Sequence, residues 1–267
     1  MRRIIGIDIG GTNARVGLVA DGKILARETL PTGFDTQGPE LIARLRAAIA
    51  RLGEPVAIGV GMPGLQDAQG RVTDASNLPG LNGFAIAREL AAPWNCPYRI
   101  DNDLNVLALG EQRYGEHAAR RLLVVALGTG IGAAAVVDGE VLRPTSGSLG
   151  DPGHILVDAD GALCRCGARG CLETKVSGWS IAEHGDTQFE ADVPLWLGVG
   201  LATYCVLYEP DTIVLGGKIS AAGGSSFLAA VEQRMKAVCQ PRFHRVSLRL
   251  SHLGDDAGIL GAAALMS

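Results

Sequence analysis

Between residues 154 and 171 the chain places one imidazole and three thiols: His154, Cys164, Cys166 and Cys171. Thiolate and imidazole donors in that number suit a tetrahedral Zn²⁺. Four protein ligands leave no open position for a catalytic water, so the expected metal is structural. Alone, His154 would read as a hydrogen-bonded core histidine and Cys164-Arg165-Cys166 as two buried thiols. Together, with Gly153, Gly161, Gly167 and Gly170 loosening the backbone, they read as a metal knuckle. Carboxylates flank it, Asp151 just before His154 and Glu173 just after Cys171, so two acids are fixed near a rigid metal knot.

A second chemistry is legible near the start. Asp8-Ile9-Gly10-Gly11-Thr12-Asn13 joins two strand-like runs, and its paired glycines let backbone N–H groups approach an anion closely. The hydroxyl and carboxylate there suit a metal's water shell. No Gly-Lys-Ser/Thr follows, so this is not a Walker loop, and a plain tight hairpin is the competing reading. The pattern returns. Writing Gly11-Thr12 over Gly128-Thr129 without a gap brings Asp21-Gly22 over Asp138-Gly139 and Ile24-Leu25 over Val141-Leu142. An internal duplication into two similar lobes is the simplest account, with two glycine turns able to grip a polyphosphate from both sides. Gly128-Thr129-Gly130-Ile131-Gly132-Ala133 superficially fits a dinucleotide fingerprint. That fingerprint needs a helix next, whereas Ala134 to Val137 reads as strand, so it is rejected.

The elements that must position these groups follow from periodicity and turn chemistry. Strands are expected over Ile4 to Ile9, Ala14 to Val19 and Lys23 to Leu30, the last two joined by an Asp-Gly hairpin. Leu41, Leu45, Ala48, Ile49 and Leu52 recur at helical spacing between Pro39 and Gly53. A strand over Val56 to Val60 ends at Met62-Pro63-Gly64, and a loop through Asn77-Leu78-Pro79-Gly80 leads to a short helix from about Phe84 to Leu90. Tyr98-Arg99-Ile100 reads as strand into Asp101-Asn102-Asp103, and Leu104 to Gln112 as helix. At that junction Asp103 is the best candidate base, with a helix N-cap as its equally good local alternative. Later come a strand over Leu122 to Leu127, an apolar helix over Val193 to Leu207, a strand over Asp211 to Leu215 and the bare turn Gly216-Gly217. A helix within Ser225 to Cys239, a strand over Val246 to Leu250 and a helix over 255–264 complete the chain. The last carries small residues that permit a close helix crossing; a hinge between lobes is the rarer use of such a crossing.

Composition narrows the class. Among 267 residues 47% are hydrophobic, ample for a core, and 24 basic against 28 acidic residues give a net charge of −4. With no basic cluster, nucleic acid is not an expected partner. Met1-Arg2-Arg3 runs straight into a strand, and no run of about 18 apolar residues is evident, so neither a signal segment nor a membrane span is expected. Cys96, Cys205 and Cys239 are scattered singly, as core thiols of a cytoplasmic protein would be.

Asp8-Ile9-Gly10-Gly11-Thr12, Asn102-Asp103-Leu104-Asn105 with Leu109-Gly110-Glu111, Leu127-Gly128-Thr129-Gly130-Ile131-Gly132, Gly153-His154, the cysteine knuckle through Glu173, and Val214-Leu215-Gly216-Gly217 closely resemble the ROK family (repressor, open reading frame, kinase). The motifs span nearly the whole chain in the family's order. The resemblance implies an α/β, actin-like ATPase (ribonuclease H-like) fold of two lobes with a cleft between them. The expected lobes are 1–110, with a helix at about 255–267 packing back on it, and 111–254. It also implies a homodimer that uses ATP with Mg²⁺ to phosphorylate a hexose, usually at C6 and by the family's habit glucose. N-acetylmannosamine and N-acetylglucosamine are the alternative substrates. On this likeness Asp103 is the general base and Asn102 positions the sugar. Asp151, His154 and Glu173 bind its other hydroxyls, His154 also being a zinc ligand. Asp8, Gly10, Gly11, Thr12, Asn13, Gly128, Thr129 and Gly130 form the phosphate and Mg²⁺ turns, and Gly216 and Gly217 the nucleotide-side turn. Two departures stand out: Asp151 replaces the family's usual Glu, and Ser177 to Leu195 is short, with Glu183-His184-Gly185-Asp186 where one or two helices are expected. His184 there reads as a surface residue. A repressor of the family would carry a helix-turn-helix ahead of Asp8, and with Asp8 so close to Met1 none is expected. A silent sugar sensor could dispense with Asp103 or Gly11, and both are present.

Overall fold

The structure, a computed structural model, describes residues 3–143, 151–185 and 187–267, with side chains for all of these but 187–190. Met1, Arg2 and Asp186, named above, lie outside the described residues. The described chain falls into two compact units, one of residues 3–116, Arg143 and Asp255–Ser267, the other of His117–Leu142 and 151–254.

In the first unit β1 (Ile4–Ile9), β2 (Asn13–Ala20) and β3 (Lys23–Pro31) form a meander. Next come α1 (Gly38–Leu52), β4 (Ala57–Met62), the small hairpin of β5 (Leu65–Gln66) and β6 (Val72–Thr73), α2 (Ile86–Ala91), β7 (Tyr98–Asn102) and α3 (Asp103–Tyr114). The second unit runs β8 (Arg121–Leu127), β9 (Ile131–Val137), β10 (Glu140–Val141), α4 (Glu173–Val176), α5 (Gly178–His184), α6 (Thr187–Tyr208), β11 (Thr212–Gly216), α7 (Lys218–Val238) and β12 (Ser247–Leu250). The closing α8 (Asp256–Ala264) belongs to the first unit.

Each unit is built on the same five-stranded sheet, β3-β2-β1-β4-β7 in one and β10-β9-β8-β11-β12 in the other. Three strands are antiparallel and two more continue in parallel. The repeat read from the sequence is therefore a repeat of topology. Its turns agree in detail: Asp21 and Gly22 have φ of 49° and 74°, Asp138 and Gly139 of 50° and 87°, the left-handed pair that matches strand twist in a two-residue hairpin.

Alternation along β1 decides what each face of the first sheet does. Ile5, Ile7 and Ile9 enter the core beneath Leu41, Leu45 and Ile49 of α1. Gly6 and Asp8 point the other way, toward α8, where a Cβ on Gly6 would overlap the Ile259 carbonyl. The crossing of α3 and α8 is as close, since a Cβ on Gly261 would overlap the carbonyl oxygen of Val106. The obstacle is backbone and cannot swing aside, so Gly261→Ala should cost about 3 kcal/mol. Gly33, with open space around its Cβ position, is the control. Urea unfolding midpoints should separate Gly261→Ala widely from the parent and Gly33→Ala hardly at all.

The segment from Ser177 to Leu195 corrects the sequence reading. Helices occupy it, α5 and the start of α6, and Glu183-His184-Gly185 is the seam where α5 ends, Gly185 donating to the Ile181 carbonyl at 2.7 Å. Helix α6 begins before Val193, and α7 begins at Lys218 before the expected Ser225, crossing a break at Gly224 (φ 60°). One apolar stretch was also missed: Ala191–Tyr208 of α6 is long and apolar enough, by length and composition, to cross a membrane. It is a core helix of the second unit, burying Val193, Leu197, Leu201, Tyr204 and Cys205, with Leu195, Val206 and Leu207 exposed.

Candidate functional site

In the first unit the face that carries Asp8 also receives the start of α3. Asp8 lies opposite Arg15 on β2 and Gly61 on β4. Gly258 of α8 leaves room for its carboxylate, since a Cβ there would come within 2.6 Å of Cγ. Arg15 bridges Asp8 at 3.5 Å and Asp255 at 2.9 Å. Burial pushes the Asp8 carboxyl up to about 7, the negative charge of Asp103 adds to the rise, and Arg15 opposes it. The turn beyond is closed by Gly10 N–H donating to the Asn13 carbonyl at 2.9 Å. Thr32 secures it from β3's end, its hydroxyl donating to the Gly10 carbonyl at 2.6 Å and its N–H to that of Thr12 at 2.8 Å. A Cβ on Gly11 would meet the Asn77 side chain at 3.3 Å, which places Asn77 against the same turn.

At the end of β7, Asn102 is the residue that caps α3; its Oδ1 accepts the Leu104 N–H at 3.0 Å. Asp103 is thus the first helical residue rather than the cap, though its Oδ1 shares the same N–H at 3.0 Å. Burial pushes the Asp103 carboxyl up to about 6, against the backbone N–H bond that pulls it down. Asp101 steadies the pair: it accepts the Asn102 N–H and the Asn105 amide, both at 2.8 Å, and pairs with Arg143.

The second unit repeats the glycine turn between β8 and β9, where Gly128 N–H donates to the Gly130 carbonyl at 3.0 Å. Beside it, Gly217 takes a φ of 89°, and a Cβ there would overlap the Leu127 carbonyl, so only glycine lets β11's end approach β8's so closely. The Ser220 hydroxyl holds the Gly216 carbonyl at 2.6 Å, and α7 starts immediately after, presenting the N–H groups of a helix N-terminus.

The knuckle comes together in the same unit. The donor atoms of His154, Cys164, Cys166 and Cys171 all lie within 4.8 Å of one another, with Cys164 Sγ 3.6 Å from His154 Nδ1 and Cys166 Sγ 3.7 Å from Cys171 Sγ. Ligands 2.3 Å from a tetrahedral zinc stand about 3.8 Å apart, so the four donors fit that ion. His154 turns Nδ1 to the thiols, leaving Nε2 on the opposite ring edge. The turn Pro152–His154 is pinned from α6, Tyr204 donating its hydroxyl proton to the Pro152 carbonyl at 2.5 Å. Asp151, at its start, is exposed. Glu173 Oε2 accepts the Ile131 N–H at 2.9 Å and Oε1 the Trp179 ring N–H at 3.0 Å, so this carboxylate joins the knuckle to the glycine turn. His184 is exposed, 3.8 Å from Glu183.

Sequence reasoning missed Arg15, Trp179 and Tyr204, and named Asn77 only as part of a loop. The hairpin register, Asp8 opposite Arg15, would have supplied the first; the others reach their places through tertiary packing that no local pattern encodes.

A model of the ROK family matches residues 4–193 and 184–267. The chain is 29% identical to a glucokinase of Halalkalibacterium halodurans, over 99% of this chain and 95% of that protein. It is 31% identical to an N-acetylmannosamine kinase of Escherichia coli, over 98% and 97%. The solved ROK hexokinase of Thermus thermophilus superposes with a TM-score of 0.83 at 27% identity, over 98% of this chain and 96% of that one.

Proposed function

The chain belongs to the ROK family, and from that premise we propose that it transfers the γ-phosphate of ATP to a hydroxyl of a hexose, C6 of glucose. The observation that carries this reading is Asp103, a carboxyl held at the first turn of α3 beside Asn102 and pushed up to about 6. A base with that value is ionised at neutral pH yet basic enough to take the hydroxyl proton as the oxygen attacks phosphorus. The proton moves from the sugar oxygen to Asp103 Oδ, the new O–P bond forms, and ADP leaves with the electrons of the broken P–O bond.

The remaining roles follow from placement. Backbone N–H groups of Gly11, Thr12 and Asn13, and of Thr129 and Gly130, donate to phosphate oxygens from turns that the Gly10 and Gly128 N–H groups close, with Gly216 and Gly217 on the nucleotide side. Asp8 is the carboxylate suited to hold Mg²⁺ through its water shell; when bound, that ion offsets the charge gathered on the transferring phosphoryl group. Asn102, Asp151, His154 and Glu173 take the sugar's other hydroxyls. Zinc on His154, Cys164, Cys166 and Cys171 is structural and fixes the His154 ring. A homodimer belongs to the same reading, supported by the apolar Leu195 and Leu207 that α6 exposes. So does a cytoplasmic setting, which suits six free cysteines. The likeness to an N-acetylmannosamine kinase at 31% identity favours a second reading, with that sugar as acceptor.

ATP consumption across hexoses and N-acetylhexosamines tests the proposal. Turnover is expected with glucose and none with 6-deoxyglucose; turnover on N-acetylmannosamine alone selects the second reading, and a chain inert on every sugar is not a kinase.

A further inference from the structure

We infer that Trp179 is a positioning residue that carries the order of the metal knuckle to the phosphate turn Gly128-Thr129-Gly130, an inference that rests on the kinase reading above. Its ring packs with Cys164 and Cys171 in one buried cluster, and the Arg165 guanidinium, from between the knuckle's cysteines, stacks on it at 4.5 Å. Arg165 is held in turn by an ion pair with Glu183 of α5. The indole N–H donates to Glu173 Oε1 at 3.0 Å, leaving Oε2 to accept the Ile131 N–H at 2.9 Å. Gly130 accommodates that oxygen, which a Cβ would meet at 2.7 Å.

The same residue also acts through its backbone. Trp179 N–H donates to the Thr129 carbonyl at 3.1 Å and its neighbour Gly178 N–H to the Gly128 carbonyl at 2.9 Å. In a planar trans peptide the C=O and the following N–H point in opposite directions. Holding the carbonyls of Gly128 and Thr129 toward α5 therefore aims the N–H groups of Thr129 and Gly130 away from it, as donors to a phosphate need. The start of α5 is fixed by Ser177, whose hydroxyl accepts the Ser180 N–H at 3.2 Å. The ring, anchored on two metal-ligand thiols, thereby sets the direction of two phosphate donors.

The test is Trp179→Phe, which keeps a ring against the thiols and removes the N–H to Glu173. Zinc content per chain should stay parental. The ATP dissociation constant, measured by calorimetry without sugar, and the ATP KM should rise about tenfold or more, as loss of one hydrogen bond to a charged group does, and by more than the sugar KM, which Glu173 also serves. In a second protein with Trp94 and Trp196 changed to Phe, chelating the metal should red-shift the single remaining indole's emission and weaken ATP binding in step. Parental ATP binding by Trp179→Phe, or chelation that leaves emission or ATP affinity unchanged, overturns the inference. Because ATP binding is read directly, a parent that binds ATP but phosphorylates no sugar sinks the kinase reading and leaves this result standing.

Discussion

Replacing Asp103 by Asn is expected to lower kcat by about 10² to 10⁴, or roughly 3 to 5 kcal/mol of transition-state stabilisation. The amide keeps the size of the side chain and its place at the first turn of α3 but cannot take the sugar proton. Steady-state turnover of the purified variant is the measurement, and a parental rate would mean that another group is the base. The pH dependence has a definite sign. A base pushed up to about 6 works only when deprotonated, so the parent's kcat/KM should fall as pH drops through that value. Asp8, pushed up to about 7, is protonated in the same region and steepens the fall. Removing the Asp103 charge takes away one cause of the Asp8 rise, so the Asn variant's residual activity should hold to lower pH.

Stability should change in the opposite sense to activity. A carboxyl whose folded value lies above its ordinary 3.8 binds its proton more tightly when folded. The folded state therefore loses stability as pH rises from about 4 to about 6 and does not recover it above. The Asn variant escapes that cost and should exceed the parent at pH 8 by up to about 3 kcal/mol, with the advantage gone below pH 4. Urea unfolding at the two pH values reads the difference.

Much of this was legible because local chemistry and tertiary structure agree. The Asp-Gly pairs had to be hairpins, since Asp and Gly tolerate the left-handed φ that such turns need, and Asp21-Gly22 and Asp138-Gly139 adopt it. The helical spacing of Leu41, Leu45 and Ile49 named the face that meets the sheet. The spacing of one histidine and three cysteines named four donors that do converge. What stayed hidden depends on partners distant in sequence. Glu183-His184-Gly185 reads as a charged break because a seam between two helices and a missing helix look alike locally; only the packing of α5 and α6 separates them. Asn102 and Asp103 are both good helix caps by type; in the fold Asn102 takes the position and Asp103 follows as the first helical residue, sharing the Leu104 N–H. The double engagement of Glu173 requires Trp179 and Ile131 to arrive from separate elements, which no spacing in the sequence announces.

Metal removal should have the other large effect, because the knuckle has little regular structure of its own. Among the described residues from 154 to 171 there is no strand or α-helix beyond two isolated bridges, Leu156 with Cys171 and Leu163 with Arg169. Leu156 and Leu163 are 65% and 60% exposed, so apolar contact with the core falls to Ile155 and Val157. Backbone bonds such as Cys164 N–H to the Ala168 carbonyl at 2.7 Å close small turns without tying them to the sheet. With a metal on the four donors, its binding energy becomes folding energy for this segment. Cys171→Ser, which swaps a buried thiolate ligand for a hydroxyl, should abolish stoichiometric zinc, lower the melting temperature and reduce kcat/KM for the sugar about tenfold or more. The loss should depend on pH. Burial pushes the Cys171 thiol up to about 12, so binding must displace its proton, and affinity weakens as pH falls. Zinc release to a chelator should thus be faster at pH 5 than at pH 8. A parent that retains its melting temperature and sugar kinetics after complete zinc removal would show that the knuckle is held by the protein alone.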